Sequence, residues 1–250
     1  MILLISIQLY TTTVTVLAVE ETKSKAIYAS ASGSKSTQLT LVTNKNPPYI
    51  FTNSNGDIVG TLVEKLATVM KQSDISYQIQ EIPWKRALSV TKTKSNTLIF
   101  PLSRTPEREK DYIWIIPLHR LNYKIYGLKG TFDEKLTDIT SGKYTFICPE
   151  NTIHCSVLSN IGVPESSMIK YAFIEPHQMI NMVLRQRVNF VLVSDQGSDY
   201  YSKLLNYDKS KLVHLKNYNF EVVEYLSGNL DFDPLLTKKI QTAFNSISDK

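Results

Sequence analysis

Gln38-Leu39-Thr40-Leu41-Val42-Thr43, then residues 60–72 (GTLVEKLATVMKQ), then Ile75-Ser76-Tyr77-Gln78-Ile79-Gln80 decide how this chain folds. The first stretch is apolar and β-branched, as a buried strand requires. In the second, Leu62, Leu66 and Val69 fall on one helical stripe, joined by Val63, Ala67 and Met70. In the third, Ile75, Tyr77 and Ile79 alternate with polar residues, a period of two and hence a strand. Pro83 then leads a short helix over Trp84–Val90, and Thr97–Phe100 reads as a further strand. Strand, helix, strand in this order predicts an α/β fold with largely parallel sheets.

The rhythm restarts further along. Tyr144–Cys148 reads as a strand, Gln178–Arg185 as a helix carrying Met179, Met182 and Val183, and Phe190–Val193 as a strand. Asp233-Pro234 places an N-cap before a proline at the first helical position. The helix it opens carries Leu235, Leu236, Ile240, Ala243, Phe244 and Ile247 on one face. Two such units predict two lobes rather than one sheet, with the chain crossing between them near Leu118–Gly127 and Tyr218–Tyr225.

The composition fits a globular protein. Of 250 residues, 42% are hydrophobic and 20% charged, which excludes a disordered or fibrous chain. The net charge of +5 is spread without any Lys/Arg-rich run, so nucleic acid is not expected as a partner. Met1–Ala18 contains no charged side chain, Val16-x-Ala18 has small residues suited to a signal peptidase, and Val19-Glu20-Glu21 follows. These features predict a cleaved secretory signal over 1–18 and a flexible, Ser/Ala/Lys-rich lead-in over 19–36. The alternative, an uncleaved anchor, is disfavoured by the threonines at 11–13 and 15. No cysteine lies near the cleavage point to carry a lipid. The two cysteines, Cys148 and Cys155, are either a disulfide suited to an exported protein or two free buried thiols. Only His154 stands between them and there is no second Cys-x-x-Cys, so a metal is not expected.

No dinucleotide, P-loop, nucleophile-elbow or zinc-protease motif is present, and the four histidines are scattered. Nothing predicts a catalytic residue or a cofactor. The informative stretch is Phe100-Pro101-Leu102-Ser103-Arg104-Thr105-Pro106-Glu107-Arg108-Glu109. It follows a strand end, where open α/β sheets place their ligands. An arginine there can grip a carboxylate through two parallel N–H···O bonds, with a hydroxyl as a third donor. The alternative is an ion-pair cluster in which Arg104, Glu107, Arg108 and Glu109 satisfy one another.

Five markers in order make the chain resemble the bacterial extracellular solute-binding proteins of family 3. They are Asn46-Pro47-Pro48-Tyr49, Gly60-x-x-x-Glu64-x-Leu66, Pro83-Trp84-Lys85-Arg86-Ala87, Thr105-Pro106-Glu107-Arg108 and Phe190-Val191-Leu192-Val193-Ser194-Asp195. The resemblance implies a two-lobed periplasmic-binding-protein fold, each lobe a mainly parallel sheet flanked by helices, joined by a two-stranded hinge. It implies a first lobe over 37–118 plus 220–250 and a second over 119–219. It further implies a ligand held between the lobes. Arg108 would clasp an α-carboxylate with Ser103 beside it, Asp195 would receive the α-ammonium, and Trp84 would cover the side chain. Thr152 lies at a second-lobe helix N-terminus, and Pro101, Tyr49 and Asn46 complete the ligand-binding set. Pro101 stands where glycine is common in the family, Asn46 where an aromatic is frequent, and Glu150-Asn151-Thr152-Ile153 replaces a Gly-Thr-Gly turn. The implied function is capture of an amino-acid-like solute in the periplasm by a soluble monomer, for delivery to the membrane permease of an ABC transporter. A ligand-sensing partner of a membrane receptor and a dehydratase-like enzyme are the alternatives on the same scaffold.

Overall fold

The computed structural model describes residues 38–248. The expected signal and lead-in lie outside the described residues. The first half runs β1 (Leu39–Thr43), β2 (Phe51–Thr52), β3 (Ile58–Val59), α1 (Thr61–Ser73), β4 (Tyr77–Glu81), α2 (Trp84–Thr93) and β5 (Thr97–Ser103). A long β6 (Ile113–Leu128) leads to β7 (Phe146–Pro149), α3 (Ile153–Asn160), β8 (Met168–Tyr171), α4 (Pro176–Leu184), β9 (Phe190–Ser194) and α5 (Asp195–Leu204). The equally long β10 (Leu212–Gly228) returns the chain to α6 (Pro234–Ser248).

Eight strands form one hydrogen-bonded ladder in the order β4-β1-β5-β10-β6-β9-β7-β8, while β2 and β3 pair separately. The outer triplets, β4-β1-β5 and β9-β7-β8, are internally parallel. The central ribbon β10-β6 is antiparallel to itself and to both triplets. The two triplets do not meet it at the same place. β5 pairs with Glu224–Gly228, which lie opposite the start of β6, whereas β9 pairs with Tyr123–Gly127 near its end. Each triplet with its helices is therefore one lobe, and the ribbon is the two-stranded connection. The expectation of two lobes rather than one sheet is modified: the lobes are distinct, but the ladder is continuous because the connecting strands are long enough to serve both.

Local chemistry explains the helix ends. Asp74, in the left-handed region at φ 52, closes α1. Glu175 and Gln178 form a capping box around Pro176 at the start of α4, and the Ser194 hydroxyl accepts from Gly197 N at α5. Asp233 accepts from Leu235 N at 2.7 Å, the expected cap of α6. On that helix Ile240 and Ala243 are buried, but Leu235 is 75% exposed. It sits about 100° around the axis from Leu236, outside the packed stripe. The strand expected to end at Phe100 continues through Pro101 to Ser103, buried throughout. Gly60 (φ 128) is required where it stands, since a Cβ there would lie 2.3 Å from the Tyr49 carbonyl. That close approach seats the 46–50 turn on the start of α1.

Of the two readings left open for the cysteines, the structure takes the disulfide: Cys148 at β7 is bonded to Cys155 in α3, with Cα atoms 5.3 Å apart. It closes the loop 149–152. Replacing both cysteines with serine should lower stability by about 2 kcal/mol, read from the urea midpoint, because a loop this short restrains the unfolded chain only modestly. An unchanged midpoint would show that neighbouring contacts already hold the loop.

Candidate functional site

The site is built on one face of the central ribbon. Opposed residues of antiparallel strands share a face. Ser103 of β5, Glu224 of β10 and His119 of β6 are paired across three strands and form such a row. Further along the same face of β6 comes Tyr123, opposite Ser194 of β9. The Tyr49 ring, brought in by the 46–50 turn, packs edge-on against His119 at 4.5 Å. Asn46 builds that turn through its backbone, donating to Ile50 O and accepting from Tyr49 N and Ile50 N. His154 of α3 packs edge-on against Tyr123 from the other side, at 5.6 Å.

Arg108 turns into this space. Thr105-Pro106-Glu107-Arg108 makes a short 3-10 turn, with Arg108 N donating to Thr105 O. Its guanidinium then donates from Nη1 to Ser103 O and from Nη2 to Asn151 O, both at 2.8 Å. It also lies over the Trp84 ring at 5.9 Å. Burial pulls the Arg108 pKa down, while Tyr112, Glu107 and Glu224 pull it back up. Two of its five N–H groups are committed to carbonyls, which leaves donors for a further acceptor. The ion-pair alternative is realised by its neighbour. Arg104 makes a bidentate pair with Glu109 at 2.8 and 3.1 Å and lies over the Trp114 and Tyr225 rings.

Several contacts join the lobes here. Trp84 Nε1 donates to the same Asn151 carbonyl at 2.9 Å, and the Tyr201 hydroxyl donates to Pro47 O at 3.4 Å. Asn151 adopts a left-handed backbone (φ 59) in the loop the disulfide closes. Trp84 also packs against the core cluster formed by Val42, Ala87, Ile99, Leu102 and Tyr112, so it seats its helix and reaches the opposite lobe at once.

Of the sequence-predicted residues, Arg108, Ser103, Trp84 and Tyr49 are brought together. Pro101 is buried in β5, at the register irregularity opposite Leu226. Thr152 adjoins Asn151, but its hydroxyl donates locally to Pro149 O at 2.7 Å and lies 3.1 Å from His154 Nδ1. Asp195 is placed elsewhere. Its carboxylate holds Lys124 Nζ at 2.8 and 2.9 Å and accepts from the Tyr126 hydroxyl at 3.1 Å. Lys124 and Tyr126 point to the face of β6 opposite Tyr123, so Asp195 does not share the Arg108 space. The reason is register: Ser194 faces the ribbon, and the next residue begins α5 on the other side.

Sequence reading missed Glu224. It is 4% exposed; Oε1 accepts from the Ser103 hydroxyl at 3.3 Å, and Oε2 has no hydrogen-bond partner among the described residues. Burial pushes its pKa up from 4.5 to about 7, against the pull of Ser103 and Arg108. Burial holds the Tyr49 hydroxyl pKa up at about 12, against the pull of the Ser194 side chain. Burial pushes His154 down to about 4 and His119 below its usual value. The one signal for Glu224 was an acid within the apolar run Phe220-Glu221-Val222-Val223-Glu224-Tyr225-Leu226. Glu221, three residues earlier, points out and pairs with Arg120 at 2.7 Å.

A two-lobed α/β fold with an arginine at the seam defines a class of binding protein, and comparison with known proteins agrees. The family model described as bacterial extracellular solute-binding proteins, family 3, matches residues 39–248, and the chain belongs to that family. No curated protein matches the sequence. Solved structures share the fold at low identity. A histidine kinase sensor domain with similarity to periplasmic binding proteins is 12% identical, with 86% of this chain and 91% of that chain covered at a TM-score of 0.73. The arginine-, lysine-, histidine-binding protein ArtJ from Geobacillus stearothermophilus is 18% identical, with 85% and 90% covered at a TM-score of 0.72. The ancestral amino acid-binding protein AncCDT-1, a precursor of cyclohexadienyl dehydratase, is 14% identical, with 86% and 90% covered at a TM-score of 0.69.

Because folded Glu224 holds its proton more tightly than the unfolded chain does, its contribution to stability is full below about pH 4.5. It is lost as pH rises through about 7. The buried histidines act in the opposite direction, so the effect is read as a difference. Between pH 4.5 and 8, Glu224→Gln should gain on the wild type by up to about 3 kcal/mol in urea unfolding. A constant difference across that range would refute a raised Glu224 pKa.

Proposed function

We propose that this protein captures a small zwitterionic solute, an amino acid or close relative, between its lobes and delivers it to the membrane permease of an ABC transporter. The proposal places it in the periplasm as a soluble monomer, with lobes over 37–118 plus 220–250 and over 119–219. The observation that carries it is Arg108. It stands at the seam between the lobes, half-buried, held at two N–H groups by backbone carbonyls and stacked on Trp84. A guanidinium so oriented loses little entropy on gripping a carboxylate. The Asn151 carbonyl, which Trp84 and Arg108 reach from the opposite lobe, ties occupancy of the site to closure of the hinge. A micromolar site needs about −8 kcal/mol, within reach of one charge-assisted grip, one acid and aromatic walls.

Calorimetry with the twenty standard L-amino acids is expected to find at least one ligand, released unchanged. Arg108→Ala, with an unaltered circular dichroism spectrum, is expected to weaken it by about 100-fold. Full-strength binding by Arg108→Ala would remove the basis of this reading, and chemical turnover of the bound solute would replace it with the enzyme alternative.

A further inference from the structure

The geometry points to Glu224, on the connecting strand β10, as the group that receives the ammonium of the bound solute. This rests on the reading of the protein as a zwitterion binder and names the second half of its recognition.

Among the described residues, Glu224 is the one buried acid, and it acts on the charge of Arg108. It sits in the middle of the Ser103–Glu224–His119 row, on the ribbon that joins the lobes, and is 4% exposed. Its Oε1 has the Ser103 hydroxyl, while Oε2 has no hydrogen-bond partner among the described residues. A buried carboxyl oxygen left unbonded is costly, and native proteins keep few of them without a use. Arg108 is near enough to act on its charge, yet the guanidinium's hydrogen bonds run to the carbonyls of Ser103 and Asn151. The two groups therefore act on each other's charge without forming an ion pair, each with capacity to spare. One takes an anion and the other a cation, as an α-amino acid presents on neighbouring atoms. The alternative acceptor, Asp195, already holds Lys124 and Tyr126 on the opposite face of β6.

The surroundings suit an ammonium. Tyr49 from the 46–50 turn, Tyr123 and His119 from β6, Tyr201 from α5 and His154 from α3 are the other titratable groups around it. Burial holds the three tyrosines above their usual pKa and both histidines below theirs, so at neutral pH all five are uncharged. With the Glu224 pKa at about 7, the free protein carries its proton part of the time, and an arriving ammonium would displace it. Binding then releases a proton and tightens as pH rises from 5.5 to 8.

The test compares each L-amino acid found to bind with its 2-hydroxy acid analogue, which keeps the carboxylate and lacks the ammonium. Wild type is expected to prefer the amino acid and to release a proton on binding it at pH 7, read by calorimetry in phosphate and Tris buffers. Glu224→Gln is expected to lose about 100-fold for the amino acid, retain the hydroxy acid and release no proton. Asp195→Asn is expected to bind as wild type. If Glu224→Gln keeps the amino acid at full strength, or loses both probes equally, the assignment is overturned while zwitterion binding stands. If wild type binds nothing in the panel, the underlying reading falls and takes the assignment with it.

Discussion

The pairing of β6 with β10 is the constraint on which the rest of the molecule depends. Each strand is far longer than a single lobe needs, and the two are hydrogen-bonded over most of their length. Because the parallel triplets dock at opposite ends of this ribbon, the chain makes two lobes without interrupting its ladder of backbone bonds. The face that carries the candidate site runs from one docking point, at Glu224 and His119, to the other, at Tyr123. Register shifts near His214/Asn219 and Glu224/Tyr225 are the places where such a ribbon bends at least cost. The ribbon thus serves as mechanical joint and as floor of the site.

The electrostatics of that floor follow from burial. Taking Arg108 and Glu224 out of water raises the free energy of both charged forms, and the structure answers differently in each case. The guanidinium keeps its charge and is fed backbone carbonyls. The carboxyl meets part of its cost by holding a proton up to about pH 7. Neither solution is complete, and under the proposed function a zwitterionic solute would complete both. The bonds that draw the lobes together, from Trp84 and Arg108 to Asn151, contribute about 1–3 kcal/mol each at most. Under the proposed function, that is small enough for a bound solute to govern closure of the lobes.

Much of the fold was legible because its elements are locally amphipathic. Leu62, Leu66 and Val69 on α1, the alternation at Ile75–Gln80, and Asp233-Pro234 before α6 each carry their own signal, and each element is present. Boundaries moved where context overrode local preference: β5 runs on through Pro101 because its partner strand continues beside it. The site was legible in part. Arg108, Ser103, Trp84 and Tyr49, which the structure brings together, could be singled out because they lie in recognisable runs near the ends of strands and turns. Glu224 was not, because an acid in a long strand reads as an outward-facing residue, as Glu221 in fact is.

What the sequence by itself determined was the order of strands and helices, the two-unit rhythm, and an arginine placed after a strand end. Periodicity and capping are local, so no long-range contact is needed to read them. Only the tertiary structure decided which charges share a space. Asp195 and Glu224 are both acids beside buried strands, and their separation to opposite faces of one ribbon depends on the register of β6 with β9 and β10. Register is a long-range pairing, and a shift of one residue exchanges the two faces.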